Sequence, residues 1–81
     1  MSTLKVEVQP FASELSFTES EMLVTLVDGR SITVPLSWFP SLSNASKEQL
    51  EDYRFIGDGE GIHWPQLDED LSVKGLLHGF H

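Results

Sequence analysis

The sequence predicts an α+β protein in which a small antiparallel or mixed β-sheet is built on a central hairpin, with two or three short helices packed on it. The first observation is an alternating apolar run over residues 22–36, interrupted by an Asp-Gly dipeptide typical of a tight turn. The second is a helix-capping pattern at residues 46–49, and the third is a glycine-rich turn, GDGEG, at residues 57–61. A chain of 81 residues is expected to form a single domain over residues 1–81.

The loop of the central hairpin decides which side chains face the core. A two-residue loop at the Asp-Gly dipeptide would divide the apolar side chains between both faces of the sheet, which a one-sided core disfavours. A three-residue loop over residues 27–29 instead pairs Val24 with Ile32 and leaves Gly29 in a left-handed conformation. The predicted inward face then consists of Met22, Val24, Leu26, Ile32 and Val34, and the outward face includes Thr25, Ser31 and Thr33.

The segments on either side of the hairpin are shorter and less regular. Residues 4–9 alternate apolar and polar side chains, which predicts a strand that ends at Pro10. Residues 14–17 predict a short extended segment before the hairpin. After the hairpin, residues 37–42 predict one helical turn or a compact turn. Within it, Trp38 either covers the sheet or lies exposed as an anchor for a partner.

The second half of the chain carries a clear helix-start signal. Ser46 and Gln49 match a capping box, in which each side chain bonds the backbone amide of the other residue. The pattern predicts a helix over residues 46–52. Because such a short helix is unstable alone, we expect it to dock through Leu50 and Tyr53.

A second hairpin and a last helix complete the predicted fold. Residues 53–56 and 61–64 flank the glycine-rich turn and are predicted to be its two strands. Ser72 is the predicted N-cap of the last helix, and Gly79 is the predicted stop. The acidic run at residues 67–71 is expected to complement the positive end of that helix.

Composition limits the classes of function and location. The chain has 13 acidic and 5 basic residues and a net charge of −8, which disfavours nucleic-acid binding by this domain alone. It has no cysteine, so disulfides and thiolate metal sites are excluded and a reducing compartment is favoured. The sequence shows neither a membrane-spanning apolar run nor a signal-peptide core, so we expect a cytoplasmic protein without membrane contact.

The sequence contains no recognisable catalytic motif. GDGEG lacks the Lys and Ser/Thr of a P-loop, and Asp58 and Glu60 would repel phosphate. The histidines lack the spacing of a zinc site, and the acidic residues 68–70 do not match an EF-hand loop. We therefore predict no catalytic residue, no cofactor site and no metal site. The alternative is a small metal-dependent hydrolase, in which Asp58, Glu60, His63 and residues 68–70 would converge on one pocket.

Two blocks of the sequence resemble a family of small bacterial proteins. The blocks are DGRSITVPLSWFPSLSNAS at residues 28–46 and GDGEGIHWPQLDEDLSVKGLL at residues 57–77. They are similar to the domain-of-unknown-function 2442 family. The resemblance implies a small α+β domain with no assigned activity, encoded beside a small partner in an arrangement like a toxin–antitoxin pair. Some members carry an extra DNA-binding helix-turn-helix domain, which this sequence does not show.

The expected function is that of a non-enzymatic protein-binding module. The resemblance implies the antitoxin-like half of a two-gene pair, and the acidic charge indicates a basic protein partner encoded by a neighbouring gene. The predicted partner interface consists of Trp38, Trp64, Asp68, Glu69 and Asp70. A further alternative is a homo-oligomeric structural protein that associates through Leu23 and Val27 on the outer face of the hairpin.

Overall fold

A computed structural model of the protein describes residues 11–78. The strand predicted over residues 4–9 and the helix stop predicted at Gly79 lie outside the described residues. The described part is an α+β fold, as the sequence predicts, but it has two small sheets where one was expected. Each sheet has three antiparallel strands that follow one another in chain order.

The first sheet contains β1 (Ala12–Phe17), β2 (Glu21–Leu26) and β3 (Ser31–Pro35). A 3-10 helix (Leu36–Trp38), α1 (Pro40–Ser43) and α2 (Lys47–Glu51) connect it to the second sheet. The second sheet contains β4 (Arg54–Ile56), β5 (Gly61–Trp64) and β6 (Glu69–Ser72), and α3 (Val73–His78) follows directly. The predicted compact turn, second hairpin and last helix are therefore all present.

The central hairpin has the predicted three-residue loop. Val24 pairs with Ile32, and the Leu26 N–H donates to the Arg30 carbonyl at 2.7 Å. Gly29 has a φ of +95°, the left-handed region that favours glycine. The predicted inward side chains are buried, except that Ile32 is only partly buried at the outer strand.

One hydrophobic core joins the two sheets and the helices. Its largest fully buried side chain is that of Trp64 on β5. The Trp64 indole N–H donates to the Leu50 carbonyl at 2.9 Å, which satisfies this buried donor. The same bond connects the second sheet to the end of α2. The other buried core residues include Met22, Val24, Leu26, Leu42, Ile62 and Val73.

The glycine-rich turn connects the two sheets. The Ala12 N–H donates to the Gly59 carbonyl at 2.8 Å, which ties the start of β1 to the β4–β5 turn. Gly59 has a φ of +103°, and a Cβ built there would lie 2.3 Å from the Ala12 carbonyl oxygen. No larger residue fits at this approach without moving the backbone of one sheet.

The helix caps agree with the sequence, and part of the acidic run forms a strand that the sequence did not predict. Both hydrogen bonds of the Ser46–Gln49 capping box are formed, and the Ser72 hydroxyl accepts from the Gly75 N–H at 3.2 Å as an N-cap. Glu69 and Asp70 precede this helix, as expected, but they do so within β6, where they pair with β5. Their electrostatic effect on the helix stays a prediction.

Candidate functional site

Three of the predicted interface residues, Asp68, Glu69 and Asp70, lie in or next to β6 at one edge of the second sheet, and Trp38 precedes Phe39, which shares a groove with β6. We call Trp38, Asp68, Glu69 and Asp70 the acidic edge. The turn after β5 supplies Asp68, and β6 itself supplies the next two carboxylates. Trp38 ends the 3-10 helix that leads into α1, which contacts β6 through the side chain of its second residue, Ser41.

Asp68 is positioned by the geometry of the β5–β6 turn. Its φ is +50°, and it is the one non-glycine residue with a positive φ in the described part of the chain. Aspartate enters this left-handed region more readily than most side chains. The side chain is exposed, so the turn presents this carboxylate to solvent.

Glu69 and Asp70 point to opposite faces of the second sheet. Glu69 pairs with Trp64, is half-buried, and its carboxylate accepts a hydrogen bond from the Ser41 hydroxyl of α1. Asp70 pairs with His63 on the outward face, where its carboxylate contacts the Nδ1 atom of that ring. The Asp70 side chain remains 68% exposed, so it is the carboxylate of β6 that is available to a partner.

A shallow groove runs beside these carboxylates. Its volume is about 270 Å³, and its lining includes Phe39, Glu69, Asp70, Leu71, Gly75 and Leu76. Trp38 precedes Phe39 in the chain, and the two rings contact each other edge to face with their centroids 6.5 Å apart. Since Trp38 is 41% exposed, the acidic edge combines an aromatic surface with the exposed carboxylates of Asp68 and Asp70.

Trp64 does not belong to this surface. Its side chain is completely buried in the core, where no partner can reach it. Its place in the predicted interface is therefore corrected: the alternation of β5 points Trp64 and Ile62 inward together and His63 outward.

The groups required by the hydrolase alternative do not form a metal site within residues 11–78. In this range, no three His, Cys, Asp or Glu side chains are placed to hold one ion. Asp58 and Glu60 lie in the β4–β5 turn, whereas Asp68 lies in the β5–β6 turn. Successive turns of an antiparallel meander lie at opposite ends of the sheet, which separates these carboxylates.

The outer face of the first sheet is mostly polar. Leu23 is 38% exposed, and its cross-strand neighbours are Ser16 and Thr33. Val27 is 61% exposed in the hairpin loop. Neither side chain is covered by another described element, but two separate apolar residues do not form a contiguous apolar patch.

The sequence did not reveal the contacts that position the acidic edge. The Ser41–Glu69 and His63–Asp70 contacts join residues from different elements, and they became visible only once β6 was known to pair with β5. A signal was available for His63, whose alternation with apolar neighbours predicts an outward side chain. A separate alternation over residues 69–72, with the apolar Leu71 inward, would have placed Asp70 outward.

Comparison with known proteins agrees with this architecture. The model of a family described as protein of unknown function (DUF2442) matches residues 12–81. The chain belongs to this family. The match confirms the resemblance drawn from the two sequence blocks, and it assigns no activity. No curated protein matches the DUF2442 chain.

Two solved structures are similar to this DUF2442 protein. A crystal structure of a protein of unknown function from Rhodospirillum rubrum has 32% sequence identity and a TM-score of 0.75, over 86% of this chain and 87% of that one. A solution structure of an uncharacterised protein from Chromobacterium violaceum has 24% identity and a TM-score of 0.72. The latter match covers 85% of this chain and 65% of the other, and it supports the fold alone.

The described helices are all short. None within residues 11–78 has the length and apolar character needed to cross a membrane.

Proposed function

We propose that this DUF2442 protein is a non-enzymatic protein-binding module that binds a basic protein through the acidic edge. Its setting is that of the antitoxin-like half of a two-gene pair, with the partner encoded by the neighbouring gene and the complex formed in the cytoplasm. The observation that carries the proposal is a groove lined by Phe39, Glu69 and the exposed Asp70, with the exposed residues Trp38 and Asp68 adjacent in the chain to Phe39 and Glu69.

The charge distribution supports a basic partner. In the part of the chain that the structure describes, no charged side chain is buried, so the acidic excess lies at the surface. A negative surface accelerates encounter with a positive protein and repels acidic competitors. Binding through such a surface is expected to weaken as salt screens the charges.

The groove suits a lysine or arginine side chain. Phe39 and Leu76 contribute apolar surface to its wall, and the acidic residues Glu69 and Asp70 also line it. A basic side chain needs both features, because its aliphatic stem packs on apolar surface while its charged end binds a carboxylate. Trp38 adds an aromatic surface next to Phe39, and exposed tryptophan is a frequent anchor in protein interfaces.

The test is co-expression with the product of the adjacent gene, followed by co-purification and titration calorimetry. We expect a complex that is stable in low salt and weakens in high salt. Asp70→Lys and Trp38→Ala are each expected to reduce the affinity about tenfold or more, which corresponds to ~1.4 kcal/mol. Calorimetry of each purified variant against the same partner measures these losses.

Glu14→Lys is the matched control for Asp70→Lys. It makes the same change in net charge at an exposed position of the first sheet, away from the acidic edge. If both lysine variants lose the same affinity, the effect comes from overall charge and the acidic edge is not the interface. A partner that does not co-purify at low salt, or turnover of a small molecule that a carboxylate substitution abolishes, would contradict the proposed function.

A further inference from the structure

The outer edge of β3 differs from the other three sheet edges. Among the described strands, β3 has a neighbour on one side only, because the order of the first sheet is β1-β2-β3. An edge strand presents unpaired backbone groups, and proteins usually protect such an edge with charges, a bulge or a covering segment. Each of the other edges has such protection.

Each of the other three edges is protected by an identifiable feature. The edge of β1 has a shift in register between Ala12 and Glu14, and the Ala12 N–H bonds the turn at Gly59. The other two edge strands are short and charged: β4 carries Arg54, and β6 carries Glu69 and Asp70. In contrast, the sequence of β3 is SITVP, which has no charge, and its pairing with β2 has no shift in register. Its one protective residue is Pro35, at the end of the strand.

The direction of the backbone groups follows from the hairpin. The Arg30 carbonyl accepts from β2, and the Leu36 N–H donates to Ser20 on the same side. In an antiparallel strand the direction alternates at every residue. The N–H and C=O groups of Ser31 and Thr33, and the carbonyl of Pro35, therefore point away from β2 along the outer edge.

We propose that β3 forms a symmetric antiparallel pair with β3 of a second copy, so that two first sheets join into one six-stranded sheet. With the two-fold axis at Thr33, the two Thr33 residues exchange both of their backbone hydrogen bonds. The Ser31 N–H of each copy then meets the Pro35 carbonyl of the other. Pro35 has no N–H, so the outward N–H groups of β3 are those of Ser31 and Thr33. In this register each of them has a carbonyl partner.

Side-chain packing favours the same arrangement. Ile32 lies on the inward face yet is only partly buried, because no described strand covers its outer side. In the symmetric pair, Ile32 of one copy lies directly opposite Val34 of the other. Such a β-branched cross-strand pair stabilises a sheet and extends the apolar layer across the two-fold axis.

Charge complementarity at the two ends of the pair makes a second acidic copy acceptable. The register places Arg30 of one copy opposite Leu36 of the other. Leu36 and Pro35 line a pocket of about 370 Å³ together with Glu19 and Glu21. The Arg30 guanidinium bonds Asp28 of its own chain, so each copy brings the cationic member of this ion pair to an acidic pocket of its neighbour, twice by symmetry. The uncharged strands meet between these ends.

The proposed dimer does not rest on the proposed function, because it forms through the backbone edge of β3, whereas the carboxylates of the acidic edge lie in β6 and the turn before it. Light scattering over a concentration series is expected to show a particle with twice the 9.1 kDa mass of one chain. Thr33→Lys places two ammonium groups opposite each other at the axis and is expected to weaken dimerisation about tenfold or more. Thr33→Pro removes an outward N–H and is expected to give a monomer.

Two controls separate this interface from other routes to a dimer. Leu23→Ser changes the outer face of the first sheet and is expected to leave the dimer intact. Arg30→Glu and Lys74→Glu make the same change in net charge, but the Arg30 variant is expected to dimerise more weakly because its carboxylate meets Glu19 and Glu21. Circular dichroism of each variant verifies that the chain is folded.

Amide hydrogen exchange provides a second measurement that does not depend on substitution. The Ser31 and Thr33 amides are expected to exchange slowly in the dimer and quickly on dilution to monomer. A wild-type chain that is monomeric at every concentration overturns the proposal. This holds also if the Ser31 and Thr33 amides exchange slowly in that monomer, because the same chain then protects them. A dimer that Leu23→Ser abolishes and both Thr33 variants preserve also overturns it.

Discussion

Gly29 and Gly59 have similar positive φ angles, but the atoms around them differ. Gly29 has a φ of +95° and would have nothing within 4 Å of an added Cβ. Gly59 has a φ of +103°, and its added Cβ would meet the Ala12 carbonyl oxygen at 2.3 Å and the Ala12 nitrogen at 2.9 Å. Gly29 therefore isolates the conformational cost of an alanine, whereas Gly59 adds a backbone clash between the two sheets.

Alanine substitution at these two positions tests the contact between the sheets. Gly29→Ala is expected to lower the free energy of unfolding by about 1–2 kcal/mol, the usual cost of placing a Cβ in the left-handed region. Gly59→Ala is expected to cost about 1–3 kcal/mol more, the usual penalty for overpacking. Urea unfolding of both variants measures the difference.

Equal losses at the two glycines would contradict the close approach of the β4–β5 turn to β1. The sequence predicted a tight turn at Gly59 but not this contact, because Ala12 is distant along the chain. Trp64 illustrates the same limit. Its alternation with His63 was visible in the sequence, but the Leu50 carbonyl that satisfies its indole N–H comes from another element.

Among the elements, the central hairpin was predictable because its information is local. Residue parity and the left-handed Gly29 together specify a three-residue loop, and the observed register agrees. In contrast, β6 was missed. Its sequence, EDLS, contains residues that are uncommon in strands, and it is extended because β5 supplies a partner. Local signals cannot predict a strand that tertiary pairing determines.

The turn of the central hairpin contains an ion pair that is sensitive to pH. The Asp28 carboxylate accepts from the Arg30 Nε–H at 2.8 Å and from the Arg30 backbone N–H at 3.0 Å. Hydrogen bonding to the Arg30 side chain, then to its backbone, holds the pKa of Asp28 below its usual range. The same contact raises the pKa of Arg30.

The sign of the pH effect follows from the lowered pKa of Asp28. A carboxyl group with a depressed folded-state pKa stabilises the fold above its unfolded pKa, and this contribution is lost as the pH falls through the folded value. Asp28→Asn is therefore expected to be less stable than wild type at pH 7, by a small amount because the pair is exposed. The difference should vanish in strong acid, and urea unfolding at both pH values measures it.

An Asp28→Asn variant whose stability deficit persists unchanged in strong acid would contradict the role of the ion pair. Asp58→Asn is the matched control. It makes the same change in another exposed turn, so it reports any general effect of removing one negative charge from an acidic protein.

At the scale of the whole molecule, the sequence identified the acidic exterior but not its arrangement. Charge, the aromatic residues and the acidic run were visible, and three of the five predicted interface residues lie in or next to β6. The sequence could not show that α1 and β6 are adjacent. It also could not show that Phe39, β6 and α3 together line a groove. Those features depend on how the second sheet packs on the core.

The most direct test of the account maps the partner onto this surface. An amide correlation spectrum of the isotope-labelled chain, titrated with the product of the adjacent gene at low salt, reports backbone positions other than proline and both indole groups. We expect shifts at Trp38, Asp68 and Asp70 and along the groove, with the buried Trp64 indole nearly unchanged and all shifts reduced in high salt. Saturable shifts confined to another face, or no shifts at any partner concentration, would contradict binding at the acidic edge.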